Sequence, residues 1–118
     1  MAISITTPSP GKFGWIINAT SADASGCEEL KAAPAAGTSI IVDHITINNG
    51  SDAISITIGA GKTGAAVTTA LIGPVAMPVN SSLQWHFPDG IKLAAATALT
   101  VDASGSGTIC IFAFGRIE

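Results

Sequence analysis

From Ile40 to the C-terminus the chain consists of short runs in which apolar and polar residues alternate, each closed by Gly, Pro, Asn or Asp. Residues 54–58, ISITI, set three isoleucines against Ser55 and Thr57. Residues 83–87, LQWHF, set Leu83, Trp85 and Phe87 against Gln84 and His86, and residues 98–103, ALTVDA, set Leu99, Val101 and Ala103 against Thr100 and Asp102. A period of two sends successive side chains to opposite faces of an extended chain, so each run reads as a strand with one face in a core. Leu83, Trp85 and Phe87 are assigned to that core. Further short strands are read at 3–6, 13–17, 27–32, 66–72 and 91–94. The best helical stretch, CEELKAAPAAG, is broken by Pro34 after two turns at most. Strands spaced this evenly with no helix between them predict an all-β antiparallel sandwich or barrel. NNGSD at 48–52 carries the turn chemistry of a hairpin joining IIVDHITI to AISITI. FPDG at 87–90 and SGSG at 104–107 read as similar turns.

Two runs are apolar on both faces. In ICIFAFGRI at 109–117 one alternate set is Ile109, Ile111, Ala113 and the other Cys110, Phe112, Phe114. A two-layer sandwich has one interior, so the second apolar face needs another cover, and subunit contact supplies one. Aromatic bulk gives the most burial, which assigns Phe112 and Phe114 to the core and leaves Ile109, Ile111 and Ala113 to an approaching copy of the chain. In IIVDHITI at 40–47, Ile40, Val42 and His44 join that subunit interface opposite Ile41, Ile45 and Ile47. Asp43 sits awkwardly on the Ile41 face, where a bulge would shift the register.

Charge agrees with a covered surface. Only 11% of the 118 residues are charged, against about 25% in ordinary soluble domains, while 47% are hydrophobic. Lys12, Lys31, Lys62, Lys92 and Arg116 are scattered and the net charge is −3, which excludes the clustered cations of a nucleic-acid binder. No apolar run reaches the ~18 residues of a membrane span, and MAISITTPSPGK has no signal-peptide pattern. The length fits one domain, with residues 1–26 as an N-terminal arm and first strands, its TTPSPGK stretch placed to anchor on a neighbour, and residues 27–118 as the sandwich body.

Motifs for chemistry fall short. GAGKTG at 59–64 copies the end of a phosphate-binding loop, but Ile56 stands where the leading glycine is required and no helix follows, so it reads as a Gly-rich loop between strands. His44 and His86 are single histidines in separate strands, and Cys27 and Cys110 are too few for a zinc site; whether the two cysteines pair is open. No GxSxG turn marks a nucleophile, and the carboxylates lack the aromatic surroundings of a sugar-cleaving cleft. No enzyme activity, cofactor or metal is expected. Asn18, Asn49 and Asn80 each begin an Asn-x-Ser/Thr triplet, read as turn residues. Trp15 follows the arm and is the candidate platform for stacking a sugar.

The order of features in CEELKAAPAAGTSIIVDHITINNGSDAISITIGAG, followed by LIGPVAMPVNSSLQWHFPDGIKLAAATALTVDASGSGTICIFAFG, resembles small tailed-phage virion proteins of the capsid decoration, or cement, type. The similarity covers about residues 27–115 and lies in the rhythm of strands and glycines. It implies an antiparallel jelly-roll-like β-sandwich of about eight strands, a homo-oligomer, commonly a trimer, and a place on a virion against the major capsid protein or another virion protein. The other expectation on the same fold is a phage tail or host-surface adhesin module that binds carbohydrate.

Overall fold

The computed structural model describes residues 3–7, 14–21, 26–105 and 108–118. Nine strands run through them: β1 (Ile3–Thr6), β2 (Trp15–Ser21), β3 (Glu28–Lys31), β4 (Ile40–Asn49), β5 (Ile54–Thr63), β6 (Ala66–Met77), β7 (Ser82–Lys92), β8 (Leu99–Ala103) and β9 (Ile109–Ile117). They make two antiparallel sheets, ordered β1-β2-β9-β4-β7 and β3-β8-β5-β6. The pairings nest, β5 with β6, β4 with β7, β3 with β8 and β2 with β9. That is one long antiparallel ribbon rolled across itself, the winding of a jelly roll, with β1 added outside β2. The expected fold class is the observed one, with nine strands for about eight.

Ile17, Ile45, Ile47, Ile56, Ile58 and Leu99 meet between the sheets and are nearly inaccessible to water. Each such side chain contributes about 1.5–3 kcal/mol by leaving solvent. On β4 the register slips between Val42 and His44, and Asp43 has no partner on either neighbouring strand. This bulge joins what strict alternation keeps apart, since Ile40 and Val42 before it and Ile45 and Ile47 after it all enter the core. The assignment of Ile40 and Val42 to a subunit interface is thereby overturned. On β7 the same irregularity takes up residues 87–90, so FPDG bends a continuing strand and does not end one. Gly90 there has φ +76°, and a Cβ on it would strike the Ile41 side chain.

Two further expectations change. NNGSD does not close a hairpin, because β4 and β5 lie in different sheets and residues 50–53 carry the chain over the edge between them. Both strands bear rows of isoleucine, and placing the rows on opposite walls buries both in one interior. GAGKTG is not a loop either, for residues 59–63 belong to β5 and pair with β6. The first strands are also more than an arm. β2 pairs with β9 along its full length and sends Trp15, Ile17 and Ala19 into the core, so residues 15–21 are part of the body. Residues 8–13, which hold most of the expected anchoring arm, lie outside the described residues.

Leu83, Trp85 and Phe87 pack against the core from β7, an edge strand, and stay half-buried. A truncation there loses less than in an enclosed site. Trp85→Ala is expected to cost about 2–3 kcal/mol, below the 3–5 of a fully buried aromatic, measured as a shift in the urea midpoint. A loss above that range would show that β7 is covered on its outer edge.

Candidate functional site

The last strand places its faces opposite to the expectation. Ile109, Ile111 and Ala113 are core residues at 2%, 2% and 0% exposure, while Phe112 is 37% exposed and Phe114 and Cys110 are half-buried on the outside. Phe112 and Phe114 are therefore not core, and Ile109, Ile111 and Ala113 are not at a subunit interface. The aliphatic set faces inward because its neighbours in register do: Ile111 lies between Ala19 and Ile47, and Ala113 between Ile17 and Ile45. All four neighbours are buried. Of the six residues assigned to an interface, His44 is the one on an outer face.

Register builds that face in rows across β2, β9, β4 and β7. One row is Ile16, Phe114, His44, His86; the next is Asn18, Phe112, Thr46, Gln84; the third is Thr20, Cys110, Asn48, Ser82. No Asp, Glu, Lys or Arg occurs in these twelve positions. The middle is aromatic. The His44 ring stacks on Phe114 with centroids 5.2 Å apart and planes 9° from parallel, and Phe112 meets Phe114 edge-on at 6.0 Å. His86 stands directly across from His44, centroid to centroid 6.0 Å. His44 Nε2 is 2.7 Å from Thr46 Oγ1, and Ser82 Oγ donates to Asn48 Oδ1 at 2.6 Å. Burial, and secondarily the nearby His86, holds the His44 pKa below its ordinary value of 6.5.

Charge gathers at one end of this face, where it is largely paired. Arg116 lies 3.4 Å from Asp43 and 3.8 Å from Glu118, and Lys92 lies 4.0 Å from Glu118. The Arg116 guanidinium also donates to the Asp89 carbonyl at 3.4 Å. Asp43, whose side chain is 12% exposed, thus meets its counter-charge beside the bulge.

Other places hold less chemistry. An open depression of about 380 Å³ is lined by Ala53, Ile54, Ser55, Ala76, Met77, Pro78 and Ser104, with no titratable side chain. Among the described residues no three His, Cys, Asp or Glu side chains gather as a metal site would require. Cys27 and Cys110 are both free thiols; Cys27 is buried, which pushes its pKa up against the opposing hydrogen bond from Thr100. Trp15 is 4% exposed and its Nε1 donates to the Arg116 carbonyl at 3.2 Å, so its ring offers no platform to a sugar.

Sequence reasoning missed Phe112 and Phe114 as surface groups, and it placed His86 on the polar side of its strand without pairing it with His44. A signal was present in the polar partners: Asn18 and Thr46 flank Phe112, and Asn48 and Thr20 flank Cys110. It becomes readable only once β9 is known to lie between β2 and β4. Compared with known proteins, the chain matches no family model, no curated protein and no solved structure.

Proposed function

We propose that this chain is a non-enzymatic structural subunit that assembles with copies of itself on a virion, as a capsid decoration protein does. The observation that carries the reading is the aromatic centre of the outer face, Phe112, Phe114 and His44, set in twelve positions free of acidic and basic side chains other than two histidines. Four strands at about 4.8 Å spacing and the roughly five to six residues spanned by the three rows at about 3.3 Å make roughly 300–400 Å² of flat area. Side-chain relief adds to this, and the roughly 800 Å² that each partner gives to a stable interface would take in the rim around these rows as well. A second copy is the fitting occupant. At net charge −3, copies meeting through a charged surface would set like charges together, whereas this face brings none into contact. The resemblance implies an oligomer, commonly a trimer. The adhesin reading has lost the stacking platform it relied on, Trp15.

Light scattering at tens of micromolar is expected to give a multiple of the 11.7 kDa protomer mass. Phe112→Asp should weaken association at least about a hundredfold, since a carboxylate buried between subunits costs several kcal/mol and each 1.4 is a factor of ten. Its β circular-dichroism spectrum should be unchanged. Ile111→Asp, aimed at the core, should instead unfold the protomer. A wild-type chain that is monomeric under these conditions overturns self-assembly. Heating shells with and without the protein tests the cement role, which fails if the shell melting temperature does not move.

A further inference from the structure

We propose that His44 and His86 make the self-association acid-labile, the copies holding together at neutral pH and separating as the paired rings take up protons. This rests on the assembly reading above and adds its regulation. The two rings are a directly opposed cross-strand pair, 6.0 Å apart, in the row of the face nearest its charged end, with His44 on the inner strand β4 and His86 on the edge strand β7. In the neutral state they are compatible with the apolar centre, His44 lying flat on Phe114 and edge-on to Phe112 at 6.5 Å. Protonation places two like charges side by side in each copy, and at least four in any assembly that joins such faces.

The surroundings decide the sign. From β9 the charged group on this side is Arg116, a further positive charge, engaged with Asp43 and Glu118; Cys110 stands at the far end. From β7 come His86 itself and, past it, Asp89, whose carbonyl receives Arg116, and Lys92, which reaches Glu118. From β2 the facing residues are Ile16, Asn18 and Thr20, none of them titratable. On β4 the adjacent carboxylate, Asp43, already faces Arg116. Phe114 offers a protonated His44 some cation–π attraction; against it stand burial and the neighbouring His86, both of which lower the His44 pKa in the free chain. Covering the face deepens the burial and shifts His44 further the same way.

Assembly therefore prefers uncharged rings. Its full strength is present above the free chain's histidine range and is lost as pH falls through it. A ring that must enter uncharged weakens association about tenfold at one pH unit below its free-state pKa. Two copies bring two such rings from His44 alone, so the dissociation constant is expected to rise about a hundredfold once the pH is one unit below that pKa.

Sedimentation velocity of the full chain from pH 7.5 to 5.0, with circular dichroism alongside, reads this out. The expected result is an oligomer at pH 7.5 and folded protomers at pH 5.0. The double variant His44→Gln, His86→Gln should stay assembled at pH 5.0, and His86→Gln alone, on an exposed position, should move the midpoint to lower pH. The switch is overturned if the wild type stays assembled at pH 5.0, or if the variants dissociate at the same pH as the wild type. Those outcomes leave assembly itself standing. A wild type that is monomeric at pH 7.5 overturns assembly and the switch together.

Discussion

Gly115→Ala is expected to cost at least about 3 kcal/mol, at the upper end of what overpacking does, and so to remove much of the 5–15 kcal/mol that a domain of this kind has. Gly115 pairs with Trp15 on one side and with Val42 on the other, beside the bulge at Asp43. The bulge brings the Ile41 carbonyl against β9, where a Cβ on residue 115 would collide with it and would stand 2.9 Å from the Trp15 ring. Neither obstacle yields easily. The carbonyl is backbone within a paired strand, and the indole is pinned by its hydrogen bond to Arg116. Gly105→Ala is the control, because its Cβ would meet nothing nearer than 3.9 Å, and it should change stability by less than about 0.5 kcal/mol. Urea denaturation of both variants measures the contrast. A Gly115→Ala protein as stable as wild type would mean that the Ile41 carbonyl does not face β9.

The same strand shows how far sequence periodicity reaches. Alternation correctly groups Ile109 with Ile111 and Ala113, and Phe112 with Phe114, because the period of two is a property of the extended backbone. It does not say which group is inside when both are apolar. Bulk favours the phenylalanines, but the width between the sheets is set jointly by both walls. Here the facing residues of β2 and β4 already supply isoleucines. A small, aliphatic row fits beside them, and the phenylalanines are displaced to the outside together with the polar residues in their register.

The candidate face was partly legible for the same reason. His44 could be placed on an outer row by counting from Thr46 and Asn48, but its neighbour Val42 could not, because Asp43 resets the count. His86, read as polar-side in LQWHF, gained meaning only when β7 was found beside β4. Long-range pairing is what brought the two histidines together, and no local pattern encodes it. The jelly-roll winding leaves function open; the reading of this chain rests on what its outer rows contain.

Turn chemistry had a similar limit at NNGSD, whose residues suit a hairpin and a sheet-to-sheet corner equally, and the corner depends on one side chain. Asn49 is 5% exposed, and its Nδ2 donates toward the carbonyls of Asp52 at 2.7 Å, Pro78 at 3.0 Å and Met77 at 3.1 Å. It thereby ties the end of β4 to the start of the next corner and to the β6–β7 link. The backbone adds Asn49 N–H to Ser81 at 2.8 Å and Asn80 N–H to Gly50 at 2.9 Å. Asn49→Asp keeps the shape and replaces the donor with an acceptor-only carboxylate facing three carbonyl oxygens. The expected cost at pH 7 is about 3–5 kcal/mol, the range for an uncompensated buried charge. The ionised form is the one penalised, so this carboxyl's folded-state pKa must lie above its unfolded value of about 3.9. The penalty is then complete above the folded pKa and fades as pH falls toward the unfolded one, where a neutral carboxyl donates one hydrogen bond. Urea unfolding of wild type and Asn49→Asp at pH 7 and pH 4.5 should show a large deficit that narrows on acidification. A deficit of the same size at both values would mean that the lost amide contacts, and not the charge, govern the corner; no deficit at all would mean that the corner is held by its backbone bonds alone.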